Sequence, residues 1–163
     1  MGEVGGRLIP GFDHNNSPSR LLGQQLAGRG VLRSGSGTQC VVAATGASEL
    51  WLGSLVVASA TARALQDRPE VTLAASGLPD EGEEDLACAE LMASLIHGTP
   101  CSKESVVATV RSSRAAAKHA DDPDFPIDDV DCSVAIDVFD FGMKVDRHAG
   151  RAIARPFVPE RVS

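Results

Sequence analysis

The chain is 163 residues long, 43% hydrophobic and 23% charged, and 15 Lys and Arg against 22 Asp and Glu leave a formal net charge of −7. A chain of this length hides roughly 70% of the surface its unfolded form exposes, so a single domain over residues 1–163 needs neither disulfides nor a structural metal. The acidic balance, without a Lys/Arg cluster, argues against nucleic acid or an anionic membrane as partner, and no apolar run is long enough to span a bilayer.

Residues 1–16 are rich in Gly and Asn and predict a loop around one short extended piece at Arg7 to Pro10. Ser17-Pro18 supplies an N-cap followed by proline at the first helical position, and Leu21, Leu22 and Leu26 predict a short amphipathic helix that Gly28 and Gly30 stop. A strand beginning at Val31-Leu32 runs into the small-residue loop Ser34-Gly35-Ser36-Gly37-Thr38, followed by a buried helix from Cys40. Leu50 to Val57 reads as a strand, Ala58 to Gln66 as a helix and Val71 to Ala75 as a further strand. This alternation predicts a three-layer α/β/α fold with a largely parallel or mixed sheet, with ligands at the C-terminal ends of strands.

Acidic residues crowd the first turn of a helix over Glu83 to His97, and a second, Ala-rich helix is expected over Ser102 to Ala120. Asp121 to Asp129 carries five aspartates and two prolines, reads as a solvated loop and is given no ligand role; a helix follows around Val130 to Val138. The residues flanking His148-Ala149-Gly150 predict a C-terminal β-hairpin. Cys40, Cys88, Cys101 and Cys132 show no CxxC spacing and no zinc-ligand histidine, so they are expected to be reduced core thiols of a cytoplasmic protein.

Three places carry chemistry. The turn at 34–38 offers backbone N–H groups at a helix start, where a phosphate can be held without cationic side chains, although small residues also simply allow a tight turn. Neither a dinucleotide fingerprint nor a P-loop is present, because Cys40 stands where a third small residue would be needed and no GxxxxGK[ST] occurs. Asn15-Asn16-Ser17-Pro18 caps a helix, yet two adjacent amides exceed what capping requires; His14 beside them reads as an incidental loop residue. Glu83-Glu84-Asp85 complements the helix dipole, whereas Glu3 lies in an otherwise featureless loop. An acidic protein handling a phosphorylated anion must offset repulsion, and Mg²⁺ held by one or two carboxylates plus substrate oxygens does so. Glu3 and Asp85 are the candidate ligands and catalytic carboxylates, with Glu84 (or Glu81 and Glu83) able to substitute.

Taken in order, Gly2-Glu3-Val4-Gly5-Gly6, Gly11-Phe12-Asp13, Asn16-Ser17-Pro18, Ser36-Gly37-Thr38 and Glu84-Asp85-Leu86-Ala87-Cys88-Ala89 resemble the 2-phosphosulfolactate phosphatase family, with Trp51-Leu52-Gly53-Ser54 and Ser76-Gly77 between them. The resemblance implies an α/β/α fold and Mg²⁺-dependent hydrolysis of (R)-2-phospho-3-sulfolactate to sulfolactate and phosphate, a step of coenzyme M synthesis. Asn16, Ser17, Ser36, Gly37 and Thr38 are then the expected substrate-binding residues. The family's N-terminal portion, an acidic strand end followed by an Arg-Ala-Thr/Ser segment, has no counterpart here, and Asn15 and Ser36 replace the family's Gly and Asn. A non-catalytic anion-binding or assembly domain, completing its sheet by self-association as a homo-oligomer, is the competing expectation.

Overall fold

A computed structural model describes residues 1–5, 7–77, 81–121 and 124–159. The chain opens with a miniature antiparallel pair, β1 (Glu3–Val4) and β2 (Arg7–Leu8), in which Glu3 faces Leu8 and Val4 faces Arg7. One parallel bridge joins Gly2 to Arg33. The approach is close: a Cβ on Gly2 would stand 3.0 Å from Phe12 and 3.1 Å from the Arg33 Cβ, so only glycine fits without displacement. Ser19–Leu21 forms a single 3-10 turn, and α1 spans Gly37–Ala43 with no buried residue.

The core begins after β3 (Trp51–Leu52). A 3-10 turn at Leu55–Val57 leads into α2 (Ala58–Leu65), followed by α3 (Glu83–His97), α4 (Lys103–Arg111), α5 (Arg114–Asp121) and α6 (Asp128–Val134). β4 (Gly142–His148) and β5 (Arg151–Phe157) close the described chain as a hairpin, and β3 adds to β4 on its other side. α2 packs on β4 and on α3, α3 on α4, and α4 on α5 and α6. Leu55, Ala58, Leu91, Met92, Val106, Val110, Val130 and Val134 fill the space between them, the small Ala and Val residues letting the helices approach closely. No described helix is long and apolar enough to cross a membrane.

The architecture is mixed α/β, but the largely parallel or mixed sheet expected is not formed among the described residues: β1–β2 and β3–β4–β5 are both antiparallel. Val31 and Leu32 carry strand-type side chains but are 72% and 53% exposed, and outside the bridge at Arg33 they have no ladder partner. Val71–Ala75 keeps the in-out alternation of a strand, yet Leu73 lies against the helical core and no strand among the described residues completes a ladder with it. The strand expected over 50–57 shortens to two residues because the chain turns at Leu55 to bury Leu55 and Val57. The expected helix after Ser17 is reduced to the 3-10 turn, leaving Leu22 and Leu26 exposed. α1 likewise differs from the buried helix expected there.

The helix expected over 102–120 breaks in two. Ser113 is buried, and its Oγ accepts the Ala116 N–H at 3.1 Å, capping α5 and ending the preceding helix. The hairpin is formed as expected, its two-residue turn holding Ala149 at φ 49° and Gly150 at φ 74°. Asp137, also left-handed at φ 59°, accepts from Ser59 N at 2.7 Å, Ser59 Oγ at 2.8 Å and Lys103 Nζ at 2.8 Å, tying the start of α2 to α4. All four cysteines are free; Cys101 is exposed rather than part of the core. Burial, seconded by Asp85, pushes the Cys88 thiol up to about 11, which leaves it a protonated, unreactive side chain.

Candidate functional site

Asn15-Asn16-Ser17-Pro18 forms one wall of a cavity of about 250 Å³. Asn15 Oδ1 accepts the Ser17 N–H at 3.3 Å, a local turn that holds the segment in shape. Asn16 Nδ2 donates to Arg33 O at 3.0 Å. Because a carbonyl only accepts, the amide nitrogen must face Arg33, and this fixes Oδ1 on the other side. That oxygen is buried without a hydrogen-bond partner among the described residues. Arg33 also binds the first strand, its Nη1 donating to Glu3 O at 2.5 Å and its N–H to Met1 O at 3.2 Å. One arginine therefore sets Asn16 and Glu3 in a common frame, and Glu3 lines the same cavity.

The opposite wall comes from the far end of the chain. Asp124, Phe125, Asp129 and Ser133 all face the cavity, as does His119 on α5. The aspartate-rich stretch, for which the sequence predicts a solvated loop without a ligand role, thus supplies two of the cavity's carboxylates, Asp124 and Asp129. Asp129 is 5% exposed. Its Oδ1 accepts from Ser17 Oγ at 2.8 Å, Ser19 N at 2.9 Å and Ser19 Oγ at 2.5 Å. Val130 and Val134 anchor α6 in the core, so the helix presents Asp129 and Ser133 from a fixed base. Ser17 is accordingly a buried donor to Asp129 and not the N-cap of a helix.

The other sequence candidates stand elsewhere. Ser36, Gly37 and Thr38 begin α1 and are not among the cavity's lining residues. The Thr38 N–H is already used by Ser34 Oγ at 3.1 Å, and the Gln39 and Cys40 N–H groups by Ser36 O at 2.9 and 3.3 Å, so these amides are engaged within the turn. Glu84 and Asp85 open α3, likewise apart from the cavity lining. Asp85 Oδ2 accepts from Ser76 N at 2.9 Å and Ser76 Oγ at 2.8 Å, pinning the loop before α3. Glu84 Oε2 is buried and unpartnered, and burial, with Asp85 and Glu83 adding repulsion, raises its carboxyl above the ordinary range against its own backbone hydrogen bond.

Among the described residues no three His, Cys, Asp or Glu side chains group closely enough to hold a metal by themselves. Two lining residues carry oxygen donors of the kind a hard divalent ion takes, the Glu3 carboxylate and the orphaned Asn16 Oδ1, whereas Asp129 Oδ1 is already engaged by Ser17 and Ser19. Magnesium commonly takes only one or two protein carboxylates and completes its shell with water and substrate.

A family model for 2-phosphosulpholactate phosphatase matches residues 1–125. The chain belongs to this 2-phosphosulpholactate phosphatase family. A relative from Bacillus subtilis (strain 168), described as "Probable 2-phosphosulfolactate phosphatase", is 28% identical over 152 residues, a stretch covering 88% of this chain and 66% of that protein. The chain thus spans just under two thirds of that relative's length. No solved structure matches the chain at a significant level.

Proposed function

We propose that this protein is a Mg²⁺-dependent phosphoric monoester hydrolase acting on a small phosphorylated acid, (R)-2-phospho-3-sulfolactate, to give 3-sulfolactate and phosphate. The observation that carries the reading is that Glu3 and the Asn15–Pro18 segment, both inside the family-matched region, share one cavity. Of the carboxylates weighed from sequence, Glu3 is the preferred metal ligand, with Asn16 Oδ1 beside it. Glu84 and Asp85 are less suited, one held off by burial and the other by Ser76. Bound there, Mg²⁺ would supply charge neutralisation for the phosphoryl oxygens.

The chain's own groups do the rest. Asn15 offers its amide to the anion, and the clasp of Asp129 on Ser17 and Ser19 keeps the Asn15–Pro18 wall rigid. In this reading Asp124 at the rim, whose Oδ2 lies 3.9 Å from Arg7 Nε, takes a proton from the attacking water. In-line attack by water is favoured over a covalent route, since Ser17 is committed to Asp129. Free thiols suit a reducing cytoplasmic setting.

The test is phosphate release by the purified chain from 2-phosphosulfolactate and a panel of small phosphate monoesters, with Mg²⁺ and then with EDTA. Turnover abolished by EDTA is expected. Folded protein without turnover would leave the second reading, a domain that assembles with another chain, which the exposed Leu22, Leu26, Val31, Leu32 and Val42 favour.

A further inference from the structure

We infer that His119 is the proton donor to the ester oxygen leaving phosphorus, an assignment that rests on reading the cavity as a phosphate-ester site. His119 lines the cavity together with Ser17, Asp129 and Ser133. Its Nδ1 lies 2.9 Å from Pro126 O. A carbonyl oxygen only accepts, so Nδ1 carries the proton of that bond, and in the neutral ring Nε2 is the basic nitrogen. The ring is further fixed by an edge-to-face contact with Phe125, centroids 5.5 Å apart at 71°. An imidazole tied to a backbone carbonyl through Nδ1 has its tautomer set, which leaves Nε2 for acid–base chemistry.

The cavity's other ionisable groups are Glu3 from β1, Asp124 from the segment before α6, and Asp129 from α6. All are carboxylates, and Asp129 Oδ1 already accepts from Ser17 and Ser19. No Lys or Arg is among the described lining residues, and Arg7, whose Nε lies 3.9 Å from Asp124 Oδ2 at the rim, keeps its protons, so His119 is the nitrogen acid–base group available to an alkoxide leaving group. In the step, the bond from phosphorus to the water oxygen forms and the bond to the ester oxygen breaks. The ester oxygen takes the proton from Nε2 of the imidazolium. One water proton stays on the phosphate, and the other passes through Asp124 to solvent, from which the imidazole is reprotonated.

His119→Asn separates this role from a structural one, because the Asn amide can still donate to Pro126 O while nothing replaces Nε2. Turnover is compared on an alkyl ester (2-phosphosulfolactate, or glycerol 2-phosphate) and on 4-nitrophenyl phosphate, whose leaving oxygen needs no proton. The expected result is a loss of roughly 10²–10⁴-fold in kcat on the alkyl ester, a far smaller loss on the nitrophenyl ester, and partial restoration of alkyl-ester turnover by added imidazole. Equal losses on both esters overturn the assignment. Should the wild type hydrolyse only the alkyl ester, imidazole decides: restoration supports His119 and its absence overturns it. A wild type that hydrolyses neither ester overturns the phosphate-ester reading itself, and the assignment with it. If His119→Asn fails to fold, His119→Gln is put through the same comparison.

Discussion

Asp129 holds one buried hydroxyl, one backbone N–H and a second hydroxyl on a single oxygen, all from residues at the opposite end of the sequence. Hydrogen bonds to a charged group contribute more than neutral ones, and removing the acceptor strands Ser17, which is 4% exposed. Asp129→Ala is therefore expected to destabilise the protein by about 2–3 kcal/mol in chemical denaturation, whereas Asp129→Asn, which keeps an acceptor oxygen, costs less. Glu84 runs the other way. Its raised carboxyl means that the folded state prefers the protonated form, so its ionisation costs stability as pH rises through and above the ordinary carboxylate range. Glu84→Gln is expected to raise the melting temperature at pH 7 to 8 and to give no gain near pH 4; an equal gain at both would show that the effect is not the charge.

At the level of single elements, the hairpin turn is a mismatch that can be improved. Both of its central residues need positive φ; glycine adopts this freely at 150, but Ala149 at φ 49° brings its Cβ against the following carbonyl. Ala149→Asn, or Ala149→Gly, is expected to stabilise the protein by about 1 kcal/mol, read as a rise in melting temperature with unchanged hairpin contacts. Elements whose limits are written locally were legible in the sequence. α3 runs over Glu83–His97 as expected because its acidic first turn and the glycine at 98 are both local signals. The hairpin is announced by Ala149-Gly150 in the same way. Val31-Leu32, Val71–Ala75 and the 112–113 break were not legible, since a strand needs a partner and a buried serine cap needs a tertiary setting. The cavity lining divides by the same rule: Glu3 and Asn15–Ser17 belong to local motifs, while His119, Asp124 and Asp129 arrive by packing. One signal was present, for Asp129 lies beside Val130 and one residue over a helical turn before Val134, and all three are buried in α6.

Across the whole molecule, order is unevenly distributed. The helices from α2 to α6 and the β3–β4–β5 sheet carry the buried apolar residues, whereas residues 18–50 include none classed as buried. Amides of residues 20–50 are accordingly expected to exchange with solvent well before those of α3, and a protease at low concentration should cut between 22 and 32 while leaving the helical core intact. Uniform exchange across both parts would contradict this division. The bond from Ser17 to Asp129 spans 112 residues of chain. Closing so long a loop carries an entropy cost that a few hydrogen bonds must offset, and such contacts form after the local helices do. The cavity is in this sense a clasp between two distant parts of the chain, and any ligand that bridges its two walls favours the fastened state in proportion to its concentration over Kd.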